Sequence, residues 1–216
     1  MALTPLFVLG HSFVEGTEHH LRGGLSSLTG SETAKRLHLS NLVKRVYLLG
    51  QRGAAVSHPV HNLYSLPSTL LNRVRPSYAI VDLGSNDLAA GVAPLEVATK
   101  LVDLANLLIE DHGLTHVTLC QILKRNSGLG HLTQAQFADL AYQTNNYLRI
   151  MCEGEVSLSY HVHQGFWDRD VTIWSQDGIH PNRREGRKLY IKSLRRALFK
   201  AITHVKKTSS RPQART

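Results

Sequence analysis

Five short, nearly continuous apolar runs dominate the chain: residues 5–9 (PLFVL), 45–49 (RVYLL), 78–83 (YAIVDL), 115–120 (THVTLC) and 156–159 (VSLS). A strand with one face in water alternates apolar and polar residues, so runs without alternation suit strands covered on both faces, as in a parallel sheet. Helical patterns lie between them. Leu95, Ala98, Leu101, Val102, Ala105, Leu108 and Ile109 form one stripe, with Gly113 placed for a left-handed cap. A second pattern starts at Thr133, where Gln136 completes a capping box, and turns Phe137, Leu140, Ala141, Leu148 and Met151 inward. A third starts at Asn182 with Glu185 in the matching position, and buries Leu189, Leu194, Ala197, Leu198, Ala201, Ile202 and Val205. Strands alternating with helices imply βαβ units, so the expected fold is α/β: a three-layer α/β/α sandwich around a five-stranded parallel sheet.

At 216 residues and 42% hydrophobic, the chain is long enough for one domain with a full core, expected over 1–205. Residues 206–216 (KKTSSRPQART) hold no large apolar group and are expected to form a basic, disordered tail. The two cysteines, Cys120 and Cys152, and the lack of an apolar leader before residue 5 favour an intracellular location, cytoplasmic or nuclear, without a signal peptide. No run approaches the roughly 18 apolar residues of a membrane span.

In parallel sheets of this kind chemistry collects beyond the carboxyl ends of the strands. The first three runs are followed there by Gly10-His11-Ser12-Phe13, Gly50-Gln51-Arg52-Gly53 and Gly84-Ser85-Asn86-Asp87, and the last helical pattern is preceded by Asp177-Gly178-Ile179-His180-Pro181. A serine hydroxyl becomes a useful nucleophile when an imidazole takes its proton, and the imidazole needs a carboxylate to fix its tautomer and balance its charge. Ser12, His180 and Asp177 are the candidates for these three tasks. The backbone N–H groups of Ser12 and Gly53 and the side-chain amide of Asn86 are candidate oxyanion donors, each worth about 3 kcal/mol if well placed. Singly, each residue also fits a structural role: a helix cap at Ser12, turns at Gly53 and Asn86, a solvated acid at Asp177.

Order and spacing of these blocks resemble the SGNH, or GDSL-type, hydrolases over about residues 5–205. The resemblance implies Ser12 as nucleophile (LGHSF), Gly53 (GQRGA) and Asn86 (LGSND) as oxyanion donors, and Asp177 with His180 (DGIHPN) as acid and base. It also implies a flavodoxin-like five-stranded sheet between helices and hydrolysis of a small or acylated ester through an acyl-enzyme, with no cofactor. His11 stands where the family usually has aspartate, so the bracing of the nucleophile loop is expected to differ. The stretches LCQILKRN, HQGFWD and SQDGIHPNRREGRKLYIKSLRRAL are further similar to SGNH-type domains of animal retroelement proteins, which implies an esterase working near RNA or DNA.

Charge supplies a second reading. The formal net charge is +9, yet the segment from Arg183 to Thr216 holds 12 Lys and Arg against one acid, Glu185, so it carries +11 and the rest of the chain −2. Arg183, Arg184, Arg187, Arg195, Arg196 and Lys200 are therefore a candidate surface for RNA, DNA or another anionic partner, with a solvated helix face as the ordinary alternative. On that reading the chain is an SGNH-type scaffold, weakly active or inactive, that binds through its basic helix. A nucleotide-binding flavodoxin-like protein is disfavoured, since neither GxGxxG nor GxxxxGK[ST] follows any strand.

His19 with His20, His58 with His61, and His161 with His163 have no cysteine or carboxylate at ligand spacing, so no metal is expected. Arg52 and Arg125, both placed after strands, are expected as solvated surface residues, with contact to an acidic substrate as the alternative. Trp167 and Trp174 are expected to pack over the loop before Asp177, with an acyl-pocket wall as the alternative.

Overall fold

The computed structural model describes residues 5–57, 68–128, 131–167 and 171–209. Five strands alternate with helices in the order β1 (Leu6–Gly10), α1 (Ser12–Arg22), α2 (Gly30–Arg36), β2 (Val46–Gly50), α3 (Ser68–Val74), β3 (Tyr78–Asp82), α4 (Ser85–Ala89), α5 (Pro94–Glu110), β4 (His116–Cys120), α6 (Gln134–Met151), β5 (Leu158–His161) and α7 (Glu185–Ser209). All four strand pairs are parallel, and the sheet order is β2-β1-β3-β4-β5. The expected five-stranded α/β sandwich is thus the fold observed.

Continuous apolar runs are required because each strand feeds two cores. Along β1, Leu6 and Val8 enter one core with Ile80, Phe13, Val14, Tyr190, Leu194 and Leu198, while Phe7 and Leu9 enter the other with Val81, Leu101, Leu104, Phe137 and Leu148. Helices α1, α2 and α7 cover the first face, and α5 and α6 the second. Each fully buried Leu, Val or Phe contributes about 1.5–3 kcal/mol relative to exposure.

Two boundaries differ from the sequence reading. The last strand begins at Leu158, and Val156 is 68% exposed, because the register with β4 pairs Val117 with Leu158 and carries on to Cys120 with His161. Val156 therefore lies ahead of β5, Leu158 opens it, and its buried end is a histidine. At the last helix, Asn182 Oδ1 accepts from the backbone N–H groups of Arg184 (3.0 Å) and Gly186 (3.1 Å), and α7 runs to Ser209, beyond the expected end at 205. Residues 210–216 of the expected tail lie outside the described residues.

The capping box at Thr133 and Gln136 is present, and Gly113 takes the left-handed conformation with φ +69°. Helices α1 to α4 had no clear apolar stripe. A signal was there for α2, since Thr29 and Glu32 form a capping box of their own.

Strand order places the topological switch between β1 and β3. There the crossovers leave toward opposite edges of the sheet and open a crevice at the strands' carboxyl ends. Among the described residues, no helix is long and apolar enough to cross a membrane.

Candidate active site

Ser12 is the first residue of α1, directly beyond β1, with His11 extended at the cap position. As the opening residue of a helix, its N–H has no carbonyl one turn earlier to bond to and faces the positive end of the helix dipole. Its Oγ lies 2.8 Å from His180 Nε2, and His180 Nδ1 lies 2.7 Å from Asp177 Oδ2. An ionised Asp177 fixes the proton on Nδ1, which leaves the Nε2 lone pair to accept from the Ser12 hydroxyl.

The loop holding Asp177 and His180 is pinned through its backbone. Asp177 Oδ1 accepts from the N–H groups of Ile179 (2.8 Å) and His180 (2.9 Å), Ser175 Oγ donates to His180 O (2.7 Å), and Ser127 Oγ donates to Asp177 O (2.7 Å). Gly178 turns this loop at φ +65°, and a Cβ there would stand 2.7 Å from Ser127 Cβ. Partial burial alone would raise the Asp177 pKa, but the donors from His180 and Ile179 outweigh it and hold the carboxyl below its ordinary range.

The candidate oxyanion donors come from two other loops. Gly53 has φ +71°, and the next carbonyl, Ala54 O, accepts from Asn86 Nδ2 at 2.9 Å. Asp87 ties the same loops together by accepting from the backbone N–H groups of Val56 (3.1 Å) and Ser57 (2.7 Å). Ser12, Gly53, Asn86, Asp177 and His180 all line one cavity of about 780 Å³. The arrangement supplies a hydroxyl, a base, an orienting carboxylate and nearby amide donors, which are the parts acyl transfer needs.

Arg125 departs from expectation. It is 4% exposed, not solvated, and its Nη2 donates to Ser85 Oγ (2.8 Å), Ser85 O (3.1 Å) and Asn86 Oδ1 (3.3 Å). Its guanidinium lies over the Phe137 ring, 4.6 Å from the centroid, and burial lowers its pKa to about 10, so it stays charged. Arg52 is solvated as expected and pairs with Glu15 at 3.1 Å.

His11 is buried beneath Ser12, its Nδ1 3.5 Å from Ser12 Oγ and its Nε2 3.9 Å from Asp82 Oδ1. Burial lowers its pKa to about 4, with Asp82 opposing only in part, so it is neutral near pH 7. Asp82 accepts from Tyr190 Oη and faces His163 Nε2 at 3.6 Å. These partners outweigh burial and keep its pKa below the ordinary value. Sequence reasoning missed Asp82, whose signal was an acid at the end of the otherwise apolar run YAIVDL.

The six basic residues expected to share one surface are divided. Arg183 and Arg187 line the cavity around Ser12, Arg195, Arg196 and Lys200 line a second cavity, and exposed Arg184 belongs to neither. His161 and His163 are buried core residues, whereas His58 and His61 lie outside the described residues. Among the described residues, no group of three His, Cys, Asp or Glu can hold a metal ion. Trp174 is buried against Phe166, and neither tryptophan lines the cavity around Ser12, which favours the packing role for both.

No family model matches the sequence, and no curated protein sequence matches it significantly. Solved structures do resemble it. A catalytic mutant of Axe2, an acetylxylan esterase from Geobacillus stearothermophilus, aligns with TM-score 0.64 at 14% identity over 91% of this chain and 94% of that one. The psychrotrophic esterase EstA from Pseudoalteromonas sp. aligns with TM-score 0.63 at 13% identity, covering 93% and 99%. A GDSL-like lipase from Bacteroides thetaiotaomicron aligns with TM-score 0.60 at 14% identity, covering 94% and 89%. At this level of identity the likeness is one of fold, and the chain has the α/β fold, with a five-stranded parallel sheet, seen in SGNH- and GDSL-type esterases and acylhydrolases.

Proposed function

We propose that the protein is a serine ester hydrolase in which Ser12, His180 and Asp177 form the catalytic triad. The observation that carries this is the hydrogen-bonded line from Ser12 Oγ through His180 to Asp177, with links of 2.8 and 2.7 Å between residues 168 positions apart. Ser12 Oγ attacks the ester carbonyl as its proton passes to His180 Nε2. The N–H groups of Ser12 and Gly53 and the Asn86 amide take the oxyanion. The imidazolium then gives its proton to the leaving alkoxide, and an acyl group stays on Ser12. Water, deprotonated by the same Nε2, attacks the acyl-enzyme and frees the acid.

The direct test is labelling by a fluorophosphonate probe, chosen because it asks for an assembled site without presuming the acyl group. The neighbouring esterase EstA is itself described as inhibited by monoethylphosphonate. Labelling is expected in wild type and lost in Ser12→Ala and His180→Ala, and hydrolysis of short-chain aryl esters should fall by several orders of magnitude in Ser12→Ala. Equal rates in wild type and Ser12→Ala would overturn the reading.

The second reading, a weakly active or inactive scaffold that binds nucleic acid through α7, is favoured by the group formed by Arg195, Arg196 and Lys200. It is weakened by the division of the basic residues between two cavities. It expects salt-sensitive RNA or DNA binding that survives Ser12→Ala and weakens when those three residues are neutralised. The association with retroelements rests on the three sequence stretches alone, and such binding would be its first support.

A further inference from the structure

The cavity around Ser12 holds more positive charge than acyl transfer uses. Two carboxylates line it, and each already has a partner: Glu15 pairs with Arg52 at 3.1 Å, and Asp177 with His180 at 2.7 Å. Arg125 is occupied by Ser85 and Asn86. Arg183 and Arg187 remain. Both line the cavity, and among the described residues neither side chain has an ion pair or a hydrogen bond. Burial is the main cause that lowers the Arg187 pKa; Tyr190 opposes it and the like charge of Arg183 adds to it. Both guanidinium groups stay protonated. Two such charges without a carboxylate repel each other, and an anionic occupant of the cavity relieves that repulsion.

Helix α1 builds in the position of Arg187. Gly16 lies four residues beyond Ser12, on the same helix face as the nucleophile. A Cβ at Gly16 would stand 2.2 Å from Arg187 Nη1 and 2.7 Å from Nη2, so the guanidinium lies against the bare backbone there. Glycine inside a helix costs about 0.5–1 kcal/mol relative to alanine. The helix that carries Ser12 thus forgoes stability at the point where Arg187 sits. Nη1 is buried against it, and a ligand in the cavity meets the other donors of the group.

The ester carbonyl is neutral, and the oxyanion it becomes already has candidate donors in Ser12, Gly53 and Asn86. A second negative group on the substrate is what Arg183 and Arg187 fit, since guanidinium forks match carboxylate and phosphate oxygens. We propose that the cavity selects esters whose acyl or alcohol half carries an anionic group, held by Arg183 and Arg187 while Ser12 faces the ester carbonyl. This names a substrate class for the proposed esterase and rests on that reading.

The test is an NMR titration of full-length Ser12→Ala protein at low ionic strength, so that hydrolysis plays no part. Monoethyl glutarate is compared with ethyl pentanoate, and 4-acetoxybutanoate with butyl acetate; in each pair a methyl group replaces the carboxylate. At least one anionic ester is expected to bind tenfold or more tightly than its neutral twin, the difference that hydrogen bonds to a charged group supply. The pair that shows the advantage tells whether the acyl or the alcohol half bears the charge, and 3-acetoxypropyl phosphate against 4-acetoxybutanoate tells phosphate from carboxylate. Added salt should shrink the advantage. Arg183→Gln/Arg187→Gln should abolish it. Gly16→Ala, which displaces the Arg187 guanidinium and leaves every charge in place, should reduce it severalfold. Equal binding within both pairs, or an undiminished advantage in either variant, overturns the proposal. Fluorophosphonate labelling of wild type separates the two readings: labelling without an anionic advantage removes this inference alone, and an anionic advantage without labelling removes the esterase and keeps the anion site.

Discussion

The amide of Asn86 is held from two sides: Nδ2 donates to Ala54 O at 2.9 Å, and Oδ1 accepts from Arg125 Nη2 at 3.3 Å. Arg125 also grips Ser85, so one buried guanidinium sets the first turn of α4. It does not line up with the triad in any sequence pattern, yet its loss should matter. On the proposed mechanism, Arg125→Gln is expected to lower kcat for aryl esters by about ten- to a hundredfold with KM little changed, since misplacing the candidate oxyanion donor Asn86 weakens the transition state more than the ground state. Arg125→Lys should recover only part of the loss, because an ammonium lacks the planar fork that spans Ser85 and Asn86. Steady-state kinetics with both variants checks this, and equal kcat in all three proteins would reduce Arg125 to a packing residue. The triad candidates were legible because the chemistry restricts them to a few residue types. Arg125 was not, because an arginine after a strand is usually solvated and only the packing of Phe137 and Ser85 around it reverses that.

Elements show a similar division. Gly50 ends β2 where α1 crosses it, and a Cβ there would stand 2.0 Å from the backbone nitrogen of Glu15 and 2.5 Å from its Cα. Backbone cannot swing aside as a side chain can, so Gly50→Ala should destabilise the fold by about 1–3 kcal/mol, read as a lower urea midpoint. Because α1 carries Ser12, the same variant should also lose the proposed esterase activity. Thr133→Ala, by contrast, removes one side of the capping box of α6 at a residue that does not line the cavity around Ser12, and should cost about 1 kcal/mol with activity unchanged. Strands were readable because burial on both faces leaves an unbroken apolar run. The short helices were harder to find: α1 buries only Phe13, Val14, Thr17 and Leu21 among its 11 residues, with Gly16 and two histidines interrupting the stripe.

Across the molecule, buried histidines couple stability to pH. His11 and His161 have pKa values of about 4 and about 3 in the fold, against 6.5 for the ordinary group. Below about 6.5 the unfolded chain binds a proton at each while the folded chain binds none, so their contribution to stability is complete above that pH and declines as pH falls toward 4. Two such groups give a slope of up to about 2.7 kcal/mol per pH unit. The urea midpoint should therefore be lower at pH 5 than at pH 7.5, and His161→Asn should remove about half of that dependence. The same midpoint difference in the variant and in wild type would show that His161 is not buried neutral.

Order along the chain by itself determined the architecture and the candidate triad. Runs without alternation can be satisfied only between two layers, and serine, aspartate and histidine in loops beyond such runs fall on one edge of the sheet. Tertiary structure alone decided the rest. It joined Asp82, His163, Ser193 and His161 into one buried chain, and it buried Arg125 40 residues from its Ser85 partner. It also split the basic segment between two cavities. The reason is that a polar side chain's state depends on what excludes water from it. For these residues the excluding groups come from distant elements packed together, which no local spacing records.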